Sequence, residues 1–239
     1  KRQVHLFGLI SPFLVITGNI LGGIYTAMGV LFIWAICPFL DIIFGKSPQP
    51  RPPRQSGLPF EILLWVHGLL HLVIISTFFY FANQQNEINL WLVTASLSTG
   101  LVSGASAIVT AHELGHKKPK SMGWFLARIL LLSVHYTHFT TEHNHNHHKW
   151  VATKKDSASA KVDEGVWSFW IRTIPGQFIS SVNIHNSKGR TGLSNPSYQG
   201  LLLQIILILS LFILPNGLSV IFGWIIASVI AILTLEYVN

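Results

Sequence analysis

At 239 residues the chain is long enough for one or two soluble domains, but its composition excludes them. Half of the residues are hydrophobic, only 10% are charged and the mean hydropathy is +0.48, whereas a soluble domain carries about 25% charged residues. The net charge of +7 therefore concerns which side of a bilayer is positive, and no nucleic acid partner is expected; the single cysteine, Cys37, lies in an apolar run and offers neither a disulfide framework nor a cysteine metal site.

A spanning helix needs about 20 apolar residues. Residues 6–20 form a short first run behind Lys1 and Arg2. No small-residue cleavage site with a polar mature chain follows, so a retained helix is expected rather than a signal peptide. Residues 25–44 form a second span, joined to the first as a hairpin turning around Gly18–Gly23. The stretch from Ser47 to Arg54 is interrupted by four prolines and reads as a loop. Residues 60–81 and 90–111 are the third and fourth spans, and the fourth leads directly into His112. A polar, basic region follows to about residue 200. Residues 201–214 and 218–238 make a last hairpin around Pro215-Asn216-Gly217. The expected fold is all-α: a polytopic bundle of six transmembrane helices, four in 1–111 and two in 201–239, around a histidine-rich region in 112–200.

Charge supports this topology. With the N-terminus inside, segments 1–5, 45–59 and 112–200 are cytoplasmic and hold all sixteen Lys and Arg. Residues 123–139 raise a difficulty, because as a seventh span they would put His143 to His148 on the face opposite His112. Arg128, His135 and His138 also suit lipid poorly. That segment is expected to lie in the interface, or to dip in and return.

Eight of the twelve histidines lie between His112 and His148. His112 and His116 are spaced i, i+4, as are His143 and His147, and His148 adds an adjacent donor. A single histidine is ordinarily a surface or satisfied core residue. Two separated clusters with ligand spacing at one membrane face point instead to a metal centre, since crowded cationic imidazoles repel and neutral, metal-bound ones do not. His112-Glu113-Leu114-Gly115-His116 also matches HExxH, which in zinc proteases supplies two ligands and a general base. Such a site takes three protein ligands and one open position, whereas five histidines suit a larger centre.

The run HELGHKK, then Glu142-His143-x-x-x-His147-His148, Val151-Ala152-Thr153 and Asp156-x-Ala158-Ser159-Ala160 resemble the integral-membrane alkane monooxygenases. That group lies within the membrane fatty acid desaturase and hydroxylase superfamily. Phe169-x-x-Arg172-x-Ile174-Pro175-Gly176 and Pro38-x-Leu40-Asp41 extend the likeness. Asn146 stands where the family commonly has glycine, and His145 is extra, its role open. The resemblance implies two non-haem irons, dioxygen activation, and hydroxylation of an unactivated C–H bond of an alkyl chain. It implies His112, His116, His143, His147 and His148 as ligands. Leu235 to Asn239 resembles the lead into a further family motif, so more ligands are expected beyond Asn239. Glu113 and Glu142 flank ligands and are expected to accept histidine N–H bonds, and His138 is expected to support the same site.

Ile33, Trp34, Trp65, His67 and His71 are candidate substrate-channel residues. A Trp in a span is more often packing or an interface anchor, and His67 and His71 read more readily as cavity-lining hydrogen-bond partners than as ligands. Asp41 and Glu61 are further ionisable candidates. Nothing in the chain binds flavin or nicotinamide, so electrons must arrive from outside. The family's donor is a small acidic rubredoxin, and Lys117, Lys118, Lys149, Lys154, Lys155 and Lys161 offer a basic surface that positive-inside topology also explains. A fatty-acid desaturase, an alkyl-aromatic hydroxylase, an intramembrane zinc protease and a metal transporter are the competing readings. Localisation is expected in the inner or plasma membrane.

Overall fold

The computed structural model describes residues 3–45 and 57–238. The loop expected at 47–54, and Asn239, lie outside the described residues. Among the described residues there is helix and no strand. The helices are α1 (His5–Leu21), α2 (Gly23–Phe44), α3 (Leu58–Ala82), α4 (Leu90–Gly115), α5 (Met122–Ser133), α6 (139–150), α7 (Val166–Asn186), α8 (Pro196–Ile213) and α9 (Gly217–Val238).

Local signals set several starts. The Asn89 side chain accepts the Leu92 N–H at 3.0 Å, Ser121 that of Trp124 at 3.3 Å, and Asn195 that of Ser197 at 2.9 Å, which satisfies donors left open at a helix N-terminus. Pro59 and Pro196 occupy first turns, where a missing N–H costs nothing.

Among the described residues five helices, α2, α3, α4, α8 and α9, are long and apolar enough to cross a membrane, where six were expected. The difference is α1, which at about 1.5 Å per residue falls short of the roughly 30 Å hydrocarbon core. Even so, α1 joins the same two ends as its neighbours. His5 stands edge-on to Phe60 at 5.0 Å, near the Lys117–Glu61 ion pair of 2.9 Å. Gly22 packs on Phe81 at the other end. There Asn216 donates its backbone N–H to Asn83 Oδ1 at 3.1 Å and its side-chain amide to the Asn83 carbonyl at 2.7 Å. The α3–α4 and α8–α9 turns therefore share one end, and the start of α3 shares the other with the end of α4.

The interior is close-packed by small residues. A Cβ at Gly100 or Gly104 of α4 would strike the carbonyl oxygens of Ala227 and Ala231 on α9, so glycine lets the two backbones touch. Large apolar side chains such as Phe39, Ile42, Leu69, Leu202 and Ile206 are exposed on the outside, as lipid contact requires.

Helix α5 resolves the alternatives for 123–139. Its 12 residues are too few to cross. It runs inward, and its inner end is held at Ser133. The Ser133 hydroxyl pairs with His71 Nε2 at 2.8 Å, and its carbonyl accepts Trp224 Nε1–H at 2.7 Å. His135 then takes a left-handed backbone (φ 55°), and α6 brings the chain back. Irregular backbone at this depth is tolerated because protein surrounds it.

Candidate metal centre

His112 sits on the last turn of α4 and His116 just beyond it. Gly115 packs against Thr140 of α6, and the Asn144 amide donates to the Gly115 carbonyl at 3.2 Å. These contacts bring the histidines of α6 against those of α4.

Ring centroids of His112 and His143 are 4.2 Å apart, His143 and His148 4.4 Å, His112 and His116 5.1 Å, and His116 and His148 5.1 Å. One nitrogen from each of these four lies within 4.8 Å of the others, a spread that can hold a metal ion. His143 is buried at 3% exposure, and its Nε2 has no hydrogen-bond partner among the described residues. Its ring stacks on Phe139 at 5.1 Å. His116 and His148 are exposed, so the cluster opens on that side.

The fourth member is His148, not His147. Residues His143–His147 form a π-helical turn, and the His148 N–H bonds to the His143 carbonyl. An i→i+5 turn winds more residues into one revolution and carries the fifth residue round toward the first. His147 stands beside the cluster, 5.1 Å from His143. Its Nδ1 is 2.9 Å from Asp156 Oδ2. Asp156 is buried and also accepts the Ala158 N–H at 3.0 Å and the Ser159 hydroxyl at 2.6 Å. Arg172 braces this loop, with Nε and Nη2 each 2.7 Å from Glu164 and two bonds of 2.9 Å to the Ser157 and Ser159 carbonyls. Such a fork fixes geometry as well as charge.

Electrostatics favour neutral imidazoles. Burial, then the neighbouring His112, His148, His147 and His116, push the His143 pKa down to about 3. Burial alone takes His138 to about 4. Burial also raises the Glu142 carboxyl, Asp156 adding to it, against hydrogen bonds from Asn146 and Ser157.

Other expected residues fall differently. Glu113 is exposed and accepts no histidine N–H among the described residues. Glu142 Oε1 accepts Asn146 at 2.8 Å and Ser157 at 3.4 Å instead of a histidine, and its Oε2 has no partner. His138 packs edge-on to Tyr136 and Phe178 at 4.8 and 5.2 Å. His145 is exposed, its Nδ1 3.1 Å from the Thr141 carbonyl. His67 pairs with Ser106 at 2.8 Å and His71 with Ser133. Ile33 packs with Val15, Ile74 and Val102, and Trp65 against the cluster around Leu126 and Phe139. Trp34 is 60% exposed on the outside of α2. The channel candidates thus occupy separate environments.

Sequence reasoning quoted Asp156 but gave it no task, and missed Tyr136 and Gln177. Tyr136 donates to Glu236 at 2.8 Å and the Gln177 amide donates to the same carboxylate at 2.7 Å. All three are buried and tie α9 to α7 and the turn before α6. A tyrosine between His135 and His138 was the available signal.

The helices and this cluster define a class: an integral membrane protein with a multi-histidine site at one end of its bundle. The fatty acid desaturase family profile matches residues 88–239, and the chain belongs to that family. It is similar to the alkane 1-monooxygenase of Ectopseudomonas oleovorans, 32% identical over 78% of this chain and 47% of that protein. It is also similar to that of Pseudomonas putida, 32% identical over 73% and 45%. Alkane 1-monooxygenase 1 of Alcanivorax borkumensis is 30% identical over 81% and 50%. The chain spans about half the length of these curated relatives.

Proposed function

We propose that this chain carries the metal-binding part of a membrane monooxygenase that hydroxylates the terminal C–H bond of an alkane or similar aliphatic chain with dioxygen. The observation that carries the reading is the convergence of four imidazoles from α4 and α6 on one point. Their chemistry fits iron: nitrogen donors held neutral, no cysteine at the site, and a buried His143 Nε2 that lacks any other partner. Iron bound there would supply dioxygen activation.

The chain's own residues do the positioning. Phe139, itself buried, stacks on the His143 ring, fixes it and keeps water from that side. Asp156 accepts the His147 Nδ1–H and so offers the Nε2 lone pair outward. We assign His112, His116, His143 and His148 to one iron and His147, with further donors, to the second of a di-iron pair. The aliphatic substrate dissolves in the bilayer and approaches between helices. We read the site as cytoplasmic because the lysines and arginines gather on its side of the spans, and its lysines suit an acidic rubredoxin-type donor.

The protease reading loses ground to the family match and to a fourth imidazole where an open position is required. The test is to supply the purified full-length protein with an n-alkane, dioxygen and reductant. Iron content together with a primary alcohol that disappears in His143→Ala is expected. An alkene product would point to desaturation instead. Zinc with peptide cleavage would contradict the proposal.

A further inference from the structure

Beside the histidine cluster, a groove separates α5 from α8. Two adjoining cavities of about 430 and 560 Å³ form it and share Trp124, Arg128, Thr141, His185 and Arg190. One end is cationic: Arg128, Lys188 and Arg190 line it, with His116, His145 and Lys117, the last paired with Glu61, and no Asp or Glu among the described residues lines it. Arg128 lies over the Trp124 ring at 3.7 Å, and its buried Nε has no hydrogen-bond partner. The Arg190 N–H bonds to the His185 carbonyl at 3.1 Å, which fixes the arginine beside that ring. His185 is 8% exposed, and its Nδ1 is also without a partner. Its pKa is lowered first by burial and then by Arg190, Lys188, His145 and Arg128, so the local potential is positive. The other end is apolar and open to the outside of the bundle: Phe125, Ile129 and Leu203 line it while remaining 44–49% exposed.

A head where Arg128, Lys188 and Arg190 meet no carboxylate among the described residues, and a half-open apolar trough at the tail, match an anionic amphiphile. Pro196 and Gln199, in the first turn of the spanning α8, place the cationic end at headgroup level. We propose that this groove binds an anionic membrane phospholipid, its phosphate between Arg128 and Arg190 and its acyl chains along Phe125, Ile129 and Leu203. Basic pockets between helices on the positive side of a membrane recognise such headgroups. A free phosphate would leave the trough unused. An acidic protein would not be expected to enter a crevice that faces lipid.

The experiment titrates purified protein in detergent with dioleoyl phosphatidylglycerol or dioleoyl phosphatidylcholine and counts retained lipid by native mass spectrometry. Selective retention of the phosphatidylglycerol is expected, weakened about 30-fold in Arg128→Gln/Arg190→Gln. The pair Lys154→Gln/Lys155→Gln, equally basic but outside the groove, should leave retention unchanged. Equal retention of both lipids, full competition by inorganic phosphate alone, or loss of retention in the lysine pair would overturn the proposal. So would an arginine pair that retains lipid normally and alters only the KM for an acidic protein donor. Should the arginine pair not fold, wild-type protein is crosslinked to phosphatidylglycerol carrying a diazirine acyl chain. Adducts at Phe125, Ile129 or Leu203 support the site, and adducts confined to other helices reject it.

Discussion

Three histidine pairs in this chain share the same i, i+4 spacing and meet different ends. His112, in the last α-helical turn of α4, and His116, just beyond it, both enter the four-membered cluster. His143 and His147 lie in a π turn, so His143 enters and His148 takes the place beside it, while His147 turns to Asp156. His67 and His71, within α3, diverge to two serines on different helices. Spacing decides which side chains share a face. Helix type and neighbours decide what that face meets.

The largest expected effect belongs to the buried member of the cluster. His143→Ala should lower metal affinity by well over the roughly 100-fold ceiling for outer partners of a ligand, read as metal content after dialysis against a chelator. Next comes the pair beside the cluster. Asp156→Asn should lower affinity by roughly 10- to 100-fold, and His147→Ala, which removes a donor, by at least as much. Their double mutant should fall little below His147→Ala, because Asp156 acts through His147; additive losses would show that it acts independently.

The third pair sharpens the contrast from the opposite side. Ser133→Ala, which removes the partner of His71, should cost roughly 0.5–1.5 kcal/mol of stability and leave metal content unchanged. Loss of metal in that variant would mean that α3 reaches the centre.

The effect furthest from the metal is a pH dependence set by burial. The His138 pKa is depressed to about 4 in the folded state, below its unfolded value near 6.5. The unfolded chain therefore binds the proton first as pH falls. Stability is fully present above about pH 6.5 and declines toward pH 4, by at most about 1.4 kcal/mol per pH unit for this one group. Thermal melts of metal-free protein should flatten over that window in His138→Phe.

Most of the fold was legible because apolar run length leaves little freedom: the spans expected at 60–81 and 218–238 appear as Leu58–Ala82 and Gly217–Val238. The inward dip of α5 was one of two alternatives. What selects it is the tertiary contacts of Ser133 with His71 and Trp224, which no local pattern encodes. The two histidine segments were legible from histidine density, and His147 and His148 were both expected as ligands; that His147 stands apart from the four-membered cluster was not legible. A π turn differs from an α turn by one hydrogen-bond register, and nothing in His143-Asn144-His145-Asn146-His147 announces it. Glu142 was assigned a histidine partner from adjacency alone, yet adjacent residues on a helix point apart, and it meets Asn146 one turn on.

The central claim is that His112, His116, His143 and His148 form the metal seat with His147 set beside it. Its most direct test compares iron per chain, by elemental analysis, in wild-type protein, His148→Ala and His147→Ala. The account predicts that His148→Ala loses more iron than His147→Ala. Equal iron in His148→Ala and wild type, with loss only in His147→Ala, would contradict it.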